Sequence, residues 1–485
     1  MLRLEMPPLV VVTSREPYVD ERTKHGIRTI QKAGGVVSAL DPLMQQLGGH
    51  WVAWGSGSGD RETCQDGSRM VPAKNPRYRL HRLFLDPEEV QGFYASYSNQ
   101  GLWPLCHLLI ERAQFSEDAY LQYRRVNQRF ARLTAERAPK DAWVFSHDYQ
   151  LSLLPGMLRA LRPDLTLAHF WHIPWPPRRV WQLVPQHRQL LEGLLGADVL
   201  GFQTAADAEQ FMGAAATLPG ASADPVQGIV HWRGRRVRVQ AFPISVDFRG
   251  IQALVQSVRV ARFAHRIRRW LDRRGQKLVI AVERADYTKG CLQRLKGWEI
   301  FMRRHPEWRH QVTFLQVVVP TRMEVPEYRQ LFSHLEARSA AFNRQWARPG
   351  RPPLITIPHE VDRARLMGLF RAADVAIIQS LFDGMNLVAK EFVASQVDHR
   401  GVLLLSRTAG AAEALKEALP IHPLDPEGAA ESLYQALTMP KEERAERLRV
   451  MQRYLAEHDL EGWIEDILAA LYDVSLSRDA RIVAP

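Results

Sequence analysis

The feature that most constrains the fold is an alternation of short apolar runs with longer amphipathic stretches along nearly the whole chain. Twelve runs are candidate strands, and most of them are β-branched or apolar almost throughout, as is typical of strands buried on both faces of a sheet. They cover residues 9–13, 50–54, 78–84, 142–146, 165–171, 199–202, 237–241, 278–282, 312–319, 354–357, 375–378 and 402–405. Between them lie stretches with one apolar stripe, such as 117–137, where Tyr120, Tyr123 and Phe130 share a helical face. This rhythm predicts an α/β fold with parallel sheets.

The series of strands and helices is interrupted once. It runs to about residue 241 and restarts at residue 277, and the segment between contains Phe242-Pro243-Ile244 and a basic helical stretch, 253–274. Two sheets of this size predict two doubly wound domains. Because ligands bind beyond the carboxyl ends of the strands in such sheets, two facing domains would place the functional residues in a cleft between them.

Composition narrows the class of protein. The chain has 485 residues, of which 46% are hydrophobic and 24% charged, an ordinary globular mixture that excludes disordered, collagenous and disulfide-based folds. Its three cysteines are far apart and form no zinc-binding spacing, which favours a reducing compartment and a metal-free fold. The sequence has neither an 18-residue apolar stretch nor a signal-peptide pattern at its start, so we expect a cytoplasmic protein.

The net charge of +11 comes mainly from arginine. An excess of this size is compatible with nucleic acid, an acidic membrane surface or phosphorylated small molecules. The arginines are spread along the chain, often beside glutamates in helical patterns, which is typical of solvated helix faces. No nucleic-acid-binding motif accompanies the charge, so nucleic acid is the least favoured of the three partners.

Polar residues follow several predicted strands of the first half. Arg15 comes after the first strand, Asp148 after the fourth and His172 after the fifth. The position at a strand end favours function, but a structural histidine is as compatible with the sequence. A zinc site is not favoured, because His169 and His172 point to opposite faces of their strand.

Three other segments of the first half have two interpretations each. Gly34-Gly35 opens a predicted helix, 36–47, where backbone N–H groups could approach an anion, although a simple turn has the same sequence. The glycines in 55–59 resemble a dinucleotide fingerprint, but no apolar helix follows, so we predict a flexible loop. The aromatic cluster 94–103, which includes Tyr94 and Trp103, favours core packing over function.

The second half has three charged turns at strand ends. Arg284 and Lys289 bracket a loop that precedes a helix, and two cations beside a helix N-terminus are suited to a diphosphate. Arg322 follows the next strand. Asp383 and Gly384 lie in a turn before a further helix, where the carboxylate can accept hydrogen bonds from hydroxyl groups. Together these turns predict a site for a phosphorylated ligand.

These motifs resemble those of trehalose-6-phosphate synthase and its relatives, which are retaining nucleotide-sugar glycosyltransferases of the GT-B fold. The resemblance extends from about residue 10 to about residue 472. The stretches that carry it are His147-Asp148-Tyr149, His172-Ile173-Pro174, Leu200-Gly201-Phe202-Gln203-Thr204, Phe242-Pro243-Ile244, residues 283–290 and residues 383–391.

The resemblance implies two Rossmann-like doubly wound domains that face an interdomain cleft. Residues 1–245 would form the acceptor-binding domain, completed by a C-terminal helix, 458–478, and residues 246–457 would bind the nucleotide sugar. The implied reaction moves glucose from UDP-, ADP- or GDP-glucose to glucose 6-phosphate and gives trehalose 6-phosphate.

The resemblance also implies roles for individual residues. The residues implied in catalysis are His172, Arg284, Lys289 and Asp383. Those implied in donor binding are Gly34, Gly35, Arg284, Lys289, Leu366, Asp383, Gly384, Met385, Asn386, Leu387 and Glu391. Those implied in acceptor binding are Arg15, Trp54, Tyr94, Trp103, Asp148 and Arg322. Members of this family need neither metal nor cofactor, and the leaving diphosphate is thought to help deprotonate the incoming hydroxyl.

Some residues depart from the pattern of the trehalose enzymes. The run from Arg15 to Tyr18 and the run from Trp51 to Trp54 are similar to the branch that makes glucosylglycerol phosphate, whereas Gly34-Gly35 is kept as in the trehalose branch. Glycerol 3-phosphate or a cyclitol phosphate is therefore an alternative acceptor. A silent regulatory subunit is the non-enzyme alternative, although Arg284, Lys289 and Asp383 are all present. The sequence leaves the oligomeric state open and favours neither nucleic acid nor a membrane as partner.

Overall fold

The structure is a computed structural model that describes residues 6–31 and 35–483, with side chains up to residue 477. The chain divides into two compact units, Met1–Pro243 with Ile464–Pro485, and Ile244–Trp463. The roles that the sequence assigns to the two halves stay predictions.

The first unit is built on a ten-stranded sheet and a separate hairpin. The strands are β1 (Leu9–Arg15), β2 (Tyr18–Thr23), β3 (Gly26–Gln31), β4 (His50–Trp54), β5 (Ser68–Val71), β6 (Tyr78–Leu83), β7 (Trp143–His147), β8 (Thr166–Phe170), β9 (Val199–Phe202), β10 (Ser222–Asp224), β11 (Ile229–Trp232) and β12 (Arg235–Ala241). The order in the sheet is β10-β11-β12-β9-β8-β7-β1-β4-β6-β5, and the run from β12 to β6 is parallel. The strand order reverses between β1 and β7, which is where such sheets bind ligands.

The second unit has a six-stranded parallel sheet. Its strands are β13 (Lys277–Arg284), β14 (Val312–Val319), β15 (Leu354–Ile357), β16 (Val375–Ile378), β17 (Val402–Ser406) and β18 (Leu419–Ile421). The spatial order is β15-β14-β13-β16-β17-β18. Numbered within the unit this is 3-2-1-4-5-6, the order of dinucleotide-binding folds, and the reversal lies between β13 and β16.

Helices cover the sheets and connect their strands. In the first unit they are α1 (Gly35–Leu47), α2 (Asp60–Thr63), α3 (Pro87–Glu89), α4 (Trp103–Cys106), α5 (Glu117–Arg137), α6 (Leu154–Leu161), α7 (Arg178–Trp181), α8 (His187–Leu194) and α9 (Ala205–Ala215). Those that follow are α10 (Phe248–Gln256), α11 (Val258–Asp272), α12 (Cys291–Arg304), α13 (Pro326–Trp346), α14 (Arg363–Ala372), α15 (Leu387–Ser395), α16 (Ala411–Ala414), α17 (Pro426–Thr438), α18 (Lys441–Glu457) and α19 (Leu460–Val483).

Helix α5 shows how the sequence encodes these elements. Its N-cap, Ser116, accepts a hydrogen bond from the backbone N–H of Ala119 at 3.2 Å, and Glu117 and Asp118 in the first turn complement the helix dipole. The apolar stripe that predicts the helix is buried, with Tyr123 and Phe130 at 0% exposure. The apolar stripe and the N-cap residue both predict this helix, and its predicted bounds, 117–137, are those observed.

Each of the twelve predicted strands is present, with ends that differ by at most two residues. The sequence missed the β2–β3 hairpin and the short strands β5, β10, β11 and β18. The basic stretch 253–274 is not one helix: α10 and α11 are separated at Ser257, whose ψ of 144° breaks the helical path.

The glycine-rich segment 55–59, predicted as a flexible loop, is held by buried side chains and leads into α2. Glu16 accepts a hydrogen bond from the backbone N–H of Ser56 at 2.7 Å, and Asp60 accepts one from the N–H of Gly57 at 2.6 Å. Arg82, at 3% exposure, lies between these carboxylates, with its Nε 2.6 Å from Glu16 and its Nη2 3.0 Å from Asp60. A buried ion network therefore fixes this loop.

The segment Val90–Leu102 is a π-helix. Its widened turn is visible at its end, where the N–H of Trp103 donates to the carbonyl of Ser98, five residues earlier. A π-helix turns more slowly than an α-helix, with about 4.4 residues per turn. Nine residues then make about two turns, so Tyr94 and Trp103 lie on the same side, whereas an α-helix would place them on opposite sides.

No helix among the described residues is long and apolar enough to cross a membrane.

Candidate active site

In the second unit, the loops after β13 and β16 meet at the point where the strand order reverses. The backbone N–H of Leu381 donates to the carbonyl of Thr288 at 2.7 Å. Gly290 has a φ of +66°, and a Cβ there would lie 2.0 Å from the carbonyl oxygen of Gln379. The close approach requires glycine, because any side chain would both strain the backbone and push the loops apart.

We expect Gly290→Ala to lower both the melting temperature and the turnover, because the added methyl group cannot avoid a backbone atom of the neighbouring loop. Thermal unfolding and initial rates would measure the two effects. Gly275→Ala is the matched control: Gly275 also has a positive φ, +60°, but nothing lies within 4 Å of a Cβ there. Equal losses in the two variants would mean that backbone strain alone, and not the contact between the loops, is responsible.

The two loops bring Lys289 and Asp383 together. Lys289 Nζ donates to Asp383 Oδ2 at 2.6 Å, and the same oxygen accepts from Ser380 Oγ at 3.1 Å and from Asn386 Nδ2 at 2.9 Å. Asn386, with a φ of +82°, caps α15 by accepting from the N–H of Ala389 at 3.1 Å. A cation and a hydrogen-bonded carboxylate thus lie at a helix N-terminus, where an anion is favoured.

The other predicted donor residues of this unit lie at the end of β13, on α14, in the turn before α15 and on α15. Arg284 ends β13 and is exposed, whereas Gly384 and Met385 are buried in the turn before α15. Leu387 and Glu391 are on α15, and burial raises the pKa of the Glu391 carboxyl. Leu366 is half-buried on α14. In the first unit, Gly35 is the first residue of α1 and Gly34 lies outside the described residues.

Arg322, predicted to bind an acceptor phosphate, contacts a buried carboxylate. Its Nη1 is 3.3 Å from Oδ2 of Asp286, which is 0% exposed, and it also donates to the hydroxyl of Tyr328. Burial opposes the charge on Asp286, but Arg322 and neighbouring cations hold its pKa below the usual value. The sequence placed Asp286 in a motif without a role. No spacing or motif in the sequence indicates that Asp286 is the counter-ion of Arg322.

In the first unit, three predicted acceptor residues form one cluster beyond the carboxyl ends of the neighbouring strands β1 and β4. Arg15 ends β1 and is exposed, and its guanidinium lies 4.6 Å from the ring centre of Tyr94 and 5.8 Å from that of Trp54. The two rings are 5.8 Å apart. Stacking of this kind holds the arginine fork in place while its N–H groups stay accessible to an anion. Trp103 is buried, with its ring 5.8 Å from that of Tyr149.

Asp148 directly follows β7 and has a φ of +73°, which is unusual for a residue other than glycine. Its Oδ1 accepts from the backbone N–H groups of Tyr149 at 3.0 Å and of His172 at 3.3 Å. Next to it, His147 Nδ1 lies 3.0 Å from His172 Nε2. Burial lowers the pKa of His172 to about 3, so this imidazole is neutral near pH 7.

Low pH is expected to destabilise the first unit. Burial lowers the pKa of His81, His169 and His172 to about 3 and that of His147 well below its usual value. Unfolded histidine titrates near pH 6.5. The stability gained by keeping these imidazoles neutral in the folded protein is therefore fully present above that pH and is lost as the pH falls toward 3. We expect a loss of about 1 kcal/mol per imidazole at pH 5.5 relative to pH 7. Urea unfolding at both pH values measures this loss of stability, and equal stability at the two pH values would contradict the prediction. As a control, His169→Gln should reduce the difference in stability between pH 7 and pH 5.5.

Glu16 is a residue of this region that the sequence analysis did not single out. It directly follows Arg15 and is buried, at 1% exposure. Burial, followed by a hydrogen bond with Asp60, raises the pKa of Glu16 above its usual value, while the cation of Arg82 acts in the opposite direction. The network fixes the backbone next to Arg15. Among the described residues, no group of three or more histidine, cysteine or acidic side chains could hold a metal ion.

Two sheets whose central strands are parallel and in Rossmann order, each with polar loops beyond its strand ends, are the architecture of GT-B glycosyltransferases. The model of glycosyltransferase family 20 matches residues 7–473. The chain belongs to this family, which confirms the resemblance, the fold class and the assignment as an enzyme.

Curated relatives cover nearly the whole chain. A bifunctional trehalose-6-phosphate synthase/phosphatase of Thermoproteus tenax is 36% identical over 97% of this chain, which spans only 64% of that protein. A trehalose-6-phosphate synthase of Mycobacterium marinum is 35% identical over 96% of this chain and 93% of its own length.

Solved structures agree with this. An alpha,alpha-trehalose-phosphate synthase (UDP-forming) from Burkholderia vietnamiensis has a TM-score of 0.87 and 32% identity over 98% of each chain. A Burkholderia xenovorans enzyme of the same description, in complex with glucose-6-phosphate, has a TM-score of 0.86 and 32% identity over 96% of this chain and 100% of its own.

Proposed function

We propose that this chain transfers glucose from a nucleotide diphosphate to glucose 6-phosphate and so makes trehalose 6-phosphate. The observation that carries the proposal is the Lys289–Asp383 pair, 2.6 Å apart at the helix N-terminus beside the reversal point of the second unit. UDP is the nucleotide that we propose, because the Burkholderia enzymes are described as UDP-forming and an Escherichia coli structure as bound with UDP-2-fluoro glucose.

In this proposal the donor diphosphate displaces Asp383 from Lys289. Lys289 and Arg284 then neutralise the phosphates, and the freed carboxylate accepts hydrogen bonds from hydroxyl groups of the glucose. Negative charge grows on the diphosphate as the glycosidic bond breaks, so two cations already in position stabilise the transition state more than the ground state. Transfer with retention needs the acceptor hydroxyl on the face from which the diphosphate leaves, and a leaving phosphate oxygen can accept its proton.

The acceptor side of the proposal rests on the cluster of Arg15, Tyr94 and Trp54. A dianionic phosphate suits the arginine fork, and Asp148 offers a carboxylate to sugar hydroxyls. His172, neutral near pH 7, would act beside the donor sugar as a hydrogen-bonding group without adding charge. Glucose 6-phosphate is preferred over glycerol 3-phosphate because the sugar can use both the phosphate site and the carboxylate.

We place the protein in the cytoplasm. All three cysteines, Cys64, Cys106 and Cys291, are unpaired, as is usual for proteins of reducing compartments.

Metal independence and retention are tested together. Activity with UDP-glucose and glucose 6-phosphate is expected to survive excess EDTA, because the cations that neutralise the diphosphate are side chains. Proton NMR of the product formed in the first minutes should show the α-configuration of the donor glucose. Loss of activity that added Mg²⁺ restores would contradict the first expectation, and a β-linked product would contradict the second.

A further inference from the structure

The second unit carries a row of arginines along α11 (Val258–Asp272) and its C-cap residue, Arg273. Arg259, Arg262, Arg266, Arg269 and Arg273 follow one another at intervals of three and four residues, so they share one side of the helix, and all five are exposed. At about 1.5 Å per residue the row is about 21 Å long. We call these five residues the arginine row.

The row has no acidic counterpart. The ion pairs of α11 are made by Arg268, which contacts Asp272 at 2.6 Å and Asp374 at 2.7 Å from another side of the helix. Within the described part of the chain, none of the five row arginines forms an ion pair. Like charges at these intervals destabilise a helix, and a bound anionic partner would remove that cost.

An apolar recess of about 330 Å³ adjoins the row. It lies between α11 and one face of the sheet, with Phe263, Ile267 and Trp270 on the helix side and Ile355 of β15 on the sheet side. Trp270 is 44% exposed and Ile355 36% exposed, so the recess is open to solvent. Arg266 belongs both to the row and to the wall of the recess, which makes the two features continuous.

A partner for this surface must be anionic along the row and apolar beside it. A flat bilayer would meet the row but could not enter the recess, and a nucleic-acid base would leave its polar edge without hydrogen bonds against an almost wholly apolar wall. An amphipathic helix has both features side by side, since carboxylates and apolar side chains alternate at the same three- and four-residue intervals.

We propose that the arginine row and the recess form a docking site for an acidic amphipathic helix of a partner protein. One large apolar side chain of that helix fills the recess, and its carboxylates pair with the row. The site lies within the second unit and uses none of the residues proposed for catalysis, so docking and glucose transfer can be measured separately.

The test uses two fluorescein-labelled 18-residue peptides made of leucine and glutamate in the same proportion. One carries its leucines at three- and four-residue intervals, and the other distributes them around the helix. Fluorescence anisotropy should show that the first peptide binds at least ten times more tightly and that its affinity falls as salt increases. No binding of the amphipathic peptide, or equal binding of both, would overturn the proposal.

Variants locate the binding. The triple variant R262Q/R266Q/R269Q should weaken binding of the amphipathic peptide at least tenfold. The control R124Q/R132Q/R453Q removes the same charge from exposed positions elsewhere and should change it less than twofold. An equal loss in both variants would mean that net charge and not the row is responsible.

A second variant examines the recess. Ile355→Asp puts a carboxylate at the edge of the recess and should also weaken binding of the peptide at least tenfold, and the rate of glucosyl transfer, measured in parallel, shows that the variant stays folded. Full binding of the peptide by this variant would mean that the recess is not part of the site. Vesicles of phosphatidylcholine with 30% phosphatidylserine serve as the rival partner. If the protein sediments with these vesicles and the R262Q/R266Q/R269Q variant does not, the surface binds a membrane and the proposal is overturned.

Discussion

Replacing Arg284 or Lys289 by alanine is expected to lower kcat/KM by about two to three orders of magnitude. Each side chain is proposed to neutralise the diphosphate, whose charge grows in the transition state, so turnover should fall more than donor affinity. Initial rates over a range of donor concentrations separate the two effects. Near wild-type turnover in both variants would contradict the donor site.

The structure makes the two variants unequal as tests. Arg284 is exposed, so its removal leaves the fold intact, whereas removal of Lys289 also takes a cation from Asp383. Arg284→Ala is therefore the cleaner measurement, and the melting temperature must be followed for Lys289→Ala. Lys296→Ala, at an exposed position of α12, removes a positive charge from the same unit and should leave kcat/KM unchanged.

The second large effect concerns the acceptor phosphate. Free glucose should be a poorer acceptor than glucose 6-phosphate by at least about a thousandfold, because it lacks the phosphate with which Arg15 is proposed to form charge-assisted hydrogen bonds. Arg15→Ala should lower kcat/KM for glucose 6-phosphate by about tenfold to a hundredfold, from the loss of charge-assisted hydrogen bonds, and should barely change the rate with glucose. Parallel kinetics with both acceptors and with glycerol 3-phosphate measure this.

Arg15 is a better test of this site than Arg322. Arg15 is exposed and packs on Tyr94, so alanine there removes the guanidinium with little effect on the core. Alanine at Arg322 would leave the carboxylate of Asp286 buried without its cation, and the loss of stability would obscure any effect on the acceptor. If glycerol 3-phosphate is the better acceptor by about tenfold, the run from Arg15 to Tyr18 was the better guide.

The sequence predicts the sheet strands well and the contacts between loops poorly. Buried parallel strands are apolar nearly throughout, so β7 and β14 stand out in any window, whereas β10 and β18 have three residues each and lie at sheet edges. Motifs at strand ends indicated Lys289 and Asp383 separately. Their pairing depends on the order of strands in the sheet, which places β13 beside β16, and no local pattern encodes that order.

The same reason explains the buried ion networks that sequence reasoning missed. Glu16 and Arg82 are 66 residues apart in the chain and meet because β1, β4 and β6 are neighbours. From a sequence alone, charged residues are predicted to be exposed, because burying an isolated charge costs free energy. Only the three-dimensional structure shows that partners are present to offset that cost.

The π-helix Val90–Leu102 has a consequence for how this site can change during evolution. A π-turn holds about one residue more than an α-turn, so the two turns between Tyr94 and Trp103 contain about two residues that an α-helix would not need. Loss of one residue there can convert one turn to α-helical geometry and still leave two whole turns between the aromatics, whereas a gained residue cannot be absorbed in this way. This segment is therefore expected to tolerate a single deletion better than a single insertion.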